Sequence, residues 1–130
     1  MISSIGIALT GLNSASMRIN ASASNIANLS TAGSLSDENN APYTPLTITS
    51  KSIDIGGVHT SFIPISDPFT PSYDPDSPFA DENGIIGVPN VNLAEEIVQM
   101  KMAELSYKSN LNTIKVAGTM FDELLGIFED

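Results

Sequence analysis

The sequence predicts a mainly α fold with a small β insertion: N- and C-terminal helices form a long antiparallel coiled coil, and a small irregular β unit lies between them. Three observations predict it. Leu93, Ile97, Met100, Glu104, Tyr107, Leu111, Ile114, Gly118, Phe121, Leu125 and Phe128 alternate spacings of four and three, the heptad signature of a helix that buries one stripe against another helix. Ile2, Ile5, Leu9, Leu12, Ser16, Ile19, Ala23 and Ile26 repeat that alternation at the other end of the chain. All eight prolines lie between Pro42 and Pro89, outside both heptad stretches, and proline breaks helices but is tolerated at turns and sheet edges.

Each element follows in order. Residues 1–29 read as the first coiled-coil helix. Apart from Arg18 it is uncharged, and Ser, Asn, Ala, Gly and Thr occupy the face opposite the Ile/Leu stripe. A solvated amphipathic helix places Lys and Glu there, so this one is expected to be buried on all sides in an assembly. Asn25, Asn28 and Thr31 mark its end, because Asn, Ser and Thr side chains compete for backbone hydrogen bonds. Gly33 is expected as the left-handed cap. Residues 30–42 read as a polar loop without periodicity.

Residues 43–90 read as the β-rich part. Thr44, Leu46, Ile48, Ile53, Ile55, Val58, Phe62 and Ile63 fall in short alternating runs broken at Gly56-Gly57, which predicts a hairpin. Pro64 to Pro78 is expected as extended loop, Ala80 to Gly84 as a turn, and Ile85 to Pro89 as a last strand. Residues 91–130 are the long helix that pairs with the first. Asn92 is its expected N-cap, with Glu95 three residues on, as in a capping box.

Composition excludes several functions. The net charge is −10, and the basic residues are Arg18, Lys51, Lys101, Lys108 and Lys115. Nucleic-acid phosphates demand clustered cations, so no nucleic-acid partner is expected. Cysteine is absent, which removes disulfides, thiol nucleophiles and Cys-based zinc sites. No apolar run reaches membrane-spanning length, and no basic segment followed by an apolar core marks a cleaved secretory leader.

Nor does a catalytic constellation emerge. His59 is the single histidine and sits in a predicted strand. Asp74, Asp76, Asp81 and Glu82 form the densest acid cluster, but Pro75 and Pro78 break the alternation a calcium loop requires. No cofactor, metal or catalytic residue is expected. Lys101, Lys108 and Lys115 recur every seven residues as a ridge beside the seam, where Glu104 can pair with Lys108. Leu9, Leu12, Ile19, Ile26, Leu93, Ile97, Met100, Tyr107, Leu111, Ile114, Phe121 and Leu125 are the candidate assembly residues, carrying packing within and between subunits. From residues alone, a self-contained helical-hairpin adaptor and an acidic-loop hydrolase or calcium protein remain alternatives.

Several motifs carry a resemblance. Tyr73-Asp74-Pro75-Asp76-Ser77-Pro78, then Asp81-Glu82-Asn83-Gly84, then Val88-Pro89-Asn90-Val91-Asn92-Leu93 resemble the bacterial flagellar proximal rod protein C family. Ala23-Ser24-Asn25-Ile26-Ala27-Asn28 with Ser30-Thr31, and Tyr107 followed by Asn110-Leu111, are similar to signatures shared by flagellar rod and hook axial proteins. Two departures are visible: Ser24 stands where the signature has Asn, and Leu29 where it has a small residue. The resemblance implies a structural subunit of the periplasmic rod of the flagellar basal body, exported through the flagellar type III apparatus without a cleaved signal peptide. It further implies a hollow shaft that transmits torque and lines the export channel, with another flagellar axial (rod or hook) subunit as the alternative within the same resemblance. The implied partners are other rod proteins, the hook–basal-body adaptor protein, the MS-ring and copies of the chain itself.

Overall fold

A computed structural model describes residues 2–127. The chain forms α1 (Ile2–Ala27), β1 (Leu46–Ser52), β2 (Val58–Pro64), β3 (Phe69–Tyr73), β4 (Ile85–Pro89) and α2 (Leu93–Gly126), with one 3-10 turn at Glu38–Asn40. Of the expected seam, Phe128 and the side chain of Ile2 lie outside the described residues.

The two helices run alongside each other in opposite senses. Asn25 meets Glu96, Arg18 meets Gln99, Gly11 lies against Asn110, and Ser4 lies beside Thr113 and Ala117. At ~1.5 Å per residue, the 34 residues of α2 make a rod of roughly 50 Å. Asn92 starts it, its side chain accepting from the amides of Ala94 (3.0 Å) and Glu95 (3.4 Å), which satisfies donors that have no partner within the helix.

The end of α1 differs from expectation. Gly33 does not supply a left-handed cap; Gly56, Gly57 and Gly84 are the glycines with positive φ among the described residues. Asn28 and Thr31 close the helix instead. The Asn28 side chain donates to the Ser24 carbonyl (2.9 Å), and the Thr31 amide (3.1 Å) and hydroxyl (2.8 Å) both donate to the Asn28 carbonyl. Gly33 exchanges backbone hydrogen bonds with Gly87 of β4 (3.0 and 2.8 Å). The polar loop is thereby tied to the β unit. Asp37 caps its 3-10 turn through Asn39 N–H (3.0 Å).

The β unit is two separate two-stranded sheets, β1–β2 and β3–β4, both antiparallel. The first has the expected Gly56-Gly57 turn, where φ values of 93° and 91° favour glycine. This hairpin lies on α1: the Thr10 hydroxyl accepts from Val58 N–H (3.1 Å), and Ser14 and Ser50 hydroxyls meet at 3.3 Å.

β3 lies inside the stretch expected to be loop. Pro71 argued against a strand there, since proline cannot donate to a ladder. The register shows why it is tolerated. Pro71 faces Gly87, and Gly87 spends its own N–H and C=O on Gly33 at its other edge. Pro71 therefore occupies a position where no ladder donor is needed.

Gly33→Ala is expected to lower stability by about 2 kcal/mol, because its Cβ would stand 2.4 Å from the Pro42 nitrogen and 2.6 Å from the Ala41 carbonyl carbon. Gly118→Ala, with nothing within 4 Å in a helix interior, is expected to raise it by about 0.5–1 kcal/mol. Urea unfolding of the two variants checks both signs.

Candidate assembly surface

Among the described residues the buried hydrophobic side chains are five alanines and Ile86. The interface between the helices is correspondingly thin. On α1 it is built from Ala8, Gly11, Ala15, Arg18, Ser22 and Asn25; on α2 from Glu96, Gln99, Ala103, Asn110 and Ala117. A Cβ at Gly11 would come within 2.6 Å of the Asn110 side chain, so glycine there lets the helices approach closely.

The expected seam does not form this contact. Ala8, Ala15 and Ser22, and likewise Ala103, Asn110 and Ala117, recur every seven residues, but each stripe sits one position before the apolar one. One residue is about 100° around a helix. Closest approach therefore selects the small residues and turns the large ones outward. Leu9 is 53 % exposed and Leu125 49 %. Leu93, Ile97, Tyr107, Leu111 and Phe121 are exposed, whereas Leu12, Ile19, Ile26, Met100 and Ile114 are half-buried. The two apolar stripes emerge on the same side of the helix pair, since Ile19, Ile26, Ile97 and Met100 line one groove of about 280 Å³. α2 carries a further exposed apolar stripe of Val98, Met102, Leu105, Val116 and Met120, with Leu105 72 % exposed. Sequence reasoning missed it, although Val98, Met102 and Leu105 show four-and-three spacing beginning one residue after Ile97.

Polar chemistry fixes one end of this surface. Asn25 is 1 % exposed. Its amide nitrogen donates to the Leu46 carbonyl (2.8 Å) and to Glu96 Oε1 (2.7 Å); its oxygen accepts from Leu46 N–H (2.9 Å) and the Tyr43 hydroxyl (3.1 Å). All four hydrogen-bonding positions of the amide are used, joining α1, β1 and α2.

The junction residues form a second polar network. Asp81 Oδ1 accepts from the amides of Asn83 and Ile85, both at 2.8 Å, and those bonds hold its carboxyl below the usual carboxylate range, the Ile85 bond contributing most. Gly84 sits at φ 76° in this turn, and Glu82 is exposed. Asn90 ties β4 back to the start of β3, its amide donating to the Pro68 carbonyl (2.8 Å) and its side chain to that of Asp67 (2.9 Å). Pro89 is buried.

Within the apolar seam, Glu104 binds Lys108 (2.6 Å) and Lys101 (3.0 Å). These hydrogen bonds, Lys108 first, hold its carboxyl down to about 2. Among the described residues, no three His, Cys, Asp or Glu side chains converge to hold a metal, and no helix is long and apolar enough to cross a membrane.

Residues 82–127 match the family model described as flagellar basal body rod FlgEFG protein C-terminal. The chain is 32 % identical to the flagellar basal-body rod protein FlgC of Borreliella burgdorferi, covering 99 % of this chain and 98 % of that one. It is 35 % identical to the FlgC of Salmonella typhimurium over 84 % of this chain and 86 % of the relative. The corresponding figures for the FlgC of Agrobacterium fabrum are 34 %, 84 % and 81 %.

Two measurements test the polar contacts. Asn25→Ala leaves the Leu46 backbone groups, the Tyr43 hydroxyl and Glu96 without this partner, and is expected to cost about 3 kcal/mol in urea unfolding. For Glu104 the folded pKa lies below the ordinary 4.5. The contribution of its ion pairs is thus complete above pH 4.5 and lost as pH falls through about 2. Side-chain carboxyl NMR is expected to give a midpoint near 2 at low salt, rising toward 4.5 in Lys101→Ala/Lys108→Ala; 1 M salt is expected to raise it in the wild type, because the pair is exposed and screened. Coverage of nearly the whole chain by such relatives settles its family: the chain belongs to the flagellar basal-body rod protein FlgC family.

Proposed function

We propose that this protein is a structural subunit of the rod of the bacterial flagellar basal body, built into it through its two terminal helices. The observation that carries this reading is the outward apolar face. A self-sufficient domain buries its large side chains, whereas here Leu9, Ile97, Leu111, Phe121 and Leu125 are exposed on one long helix pair. Extended apolar surface of that kind marks a site of protein association. In the assembly the helices act as coiled-coil elements: α1 and α2 hold each other through small residues and present their apolar stripes to neighbouring subunits.

The finer assignments belong to the same reading. The subunits surround a channel as a hollow shaft in the periplasm, and torque passes along it through packed helices. Its neighbours are the other rod proteins, the hook–basal-body adaptor protein, the MS-ring and further copies of this chain. It reaches that place through the flagellar type III export apparatus. Asn25, Asn28 and Thr31 maintain the helix end, and residues 81–92 fix the angle at which the β unit meets α2. The role is mechanical, and the reading assigns it no catalysis and no cofactor.

Leu111 lies near the middle of the exposed seam and is 37 % exposed, so a polar replacement alters the surface with little effect on the fold. Leu111→Asp is expected to leave the purified chain soluble, with helix content unchanged by circular dichroism, and to abolish its incorporation into basal bodies and swimming in a strain lacking the wild-type chain. Normal incorporation of the variant would sink this reading.

A further inference from the structure

The turn that joins Asp81 to Gly84 contains a reactive pair. Asn83-Gly84 is the one Asn-Gly step in the sequence; each of the other asparagines precedes a residue with a side chain. A backbone amide nitrogen can attack the carboxamide carbon of the asparagine before it. Glycine in the second place hinders that attack least, because it has no Cβ and its backbone rotates most freely. Asn83 is exposed, so water reaches its carboxamide.

The folded turn withholds the attacking nitrogen. Gly84 N–H donates to the Asp81 carbonyl (3.0 Å). Asp81 Oδ1 accepts from the amides on either side of it, Asn83 and Ile85, both at 2.8 Å. The Gly84 carbonyl accepts from Asp74 N–H (2.9 Å). Gly84 itself is buried at φ 76°, and a Cβ there would stand 3.0 Å from both the Tyr73 ring and Pro75. Three consecutive amides are thus held by one residue, and the middle one must leave its partner before it can turn on Asn83 Cγ.

We propose that Asn83 is a self-modification site gated by the Asp81 turn: it is stable while the turn is closed and converts to isoaspartate and aspartate when the turn opens. In the open turn the Gly84 amide gives its proton to hydroxide and attacks Asn83 Cγ. The new N–Cγ bond closes a succinimide ring as the Cγ–Nδ2 bond breaks, and the departing nitrogen takes a proton from water and leaves as ammonia. Water then opens the ring at either carbonyl. Both products add a carboxylate beside Asp81 and Glu82. Isoaspartate also routes the backbone through the side chain, which inserts a carbon between the Cα of residue 83 and the Gly84 nitrogen. The three amides then no longer match the spacing of the Asp81 acceptors, so the change is locked in at the Tyr73–Ile85 end of the β3–β4 pair.

The test incubates the purified full chain in warm, mildly alkaline buffer. Peptide mass spectrometry follows the exchange of NH for O at Asn83, and enzymatic methylation counts isoaspartate. In unfolding urea Asn83 is expected to convert faster than every other asparagine. In the folded chain only molecules with an open turn react, so conversion is expected to be at least about tenfold slower. Asp81→Ala removes the Oδ1 acceptor and is expected to speed conversion in the folded chain about fivefold. Asp81→Asn keeps an acceptor oxygen and is expected to stay close to the wild type. Equal rates for folded and urea-unfolded wild type overturn the proposal. So does an Asn83 that in urea reacts no faster than the other asparagines, or an Asp81→Ala chain of unchanged helix content that converts at the wild-type rate. If Asp81→Ala loses its helix content by circular dichroism, the wild-type comparison decides alone.

Discussion

One carboxamide joins the parts of this molecule. Asn25 and Pro45 are the largest fully buried side chains, so apolar bulk does not set the arrangement. The Asn25 amide meets β1 through both backbone groups of Leu46 and meets α2 through Glu96. A buried amide tolerates no approximate geometry, because each unmade bond costs about 1–3 kcal/mol. Satisfying all four therefore fixes where the hairpin leaves α1 and at what height α2 passes it. Leucine could fill the volume, but it would leave the Leu46 groups and the Glu96 carboxylate to find other partners.

Along the rest of the helix pair, sterics take over. Alanines and Gly11 let the backbones approach, and the large side chains cannot share that space. They move to the flanks, where they form the apolar face and the second stripe on α2. The same choice of small residues both joins the helices and frees the large ones. This explains how a chain with 42 % hydrophobic residues buries mainly alanine. The apolar free energy usually gained on folding, roughly 1.5–3 kcal/mol for each large side chain, remains available for association.

The layout of two long helices around a β insertion was legible because heptad spacing and the absence of proline signal helix from sequence alone. The hairpin at Gly56-Gly57 and the Asn92 cap were legible for a similar reason, since their residue types act locally. What was not legible depends on partners distant in sequence. Pro71 looked like a strand breaker until Gly87 was seen to spend its backbone groups on Gly33. Gly33 looked like a helix cap because its need for space, set by Pro42 and Ala41, is invisible locally. The interhelical face was displaced by one residue because a hydrophobic period locates the apolar stripe, whereas close approach is decided by the smallest side chains. Asn25 was recognisable as a helix-end residue, but its bond to Glu96, 71 positions away, was not.

Glu104 shows how such a face can stay usable. A carboxylate in the middle of an apolar stripe would be costly to cover if it stood alone. Here two lysines of the same helix already neutralise it, and an incoming neighbour meets a group whose charge is locally answered. Lys101 also lines the groove of Ile19, Ile26, Ile97 and Met100, and a lysine in such a place covers apolar surface with its stem while its ammonium head stays in water. Charge at this position therefore does little to oppose burial, yet it marks one point along an otherwise repetitive seam. A heptad surface that is uniformly apolar can slide by whole heptads, and a single polar group removes that freedom. The seam's composition thus meets two demands on a long rigid assembly: apolar area for cohesion, and one charged landmark to define register.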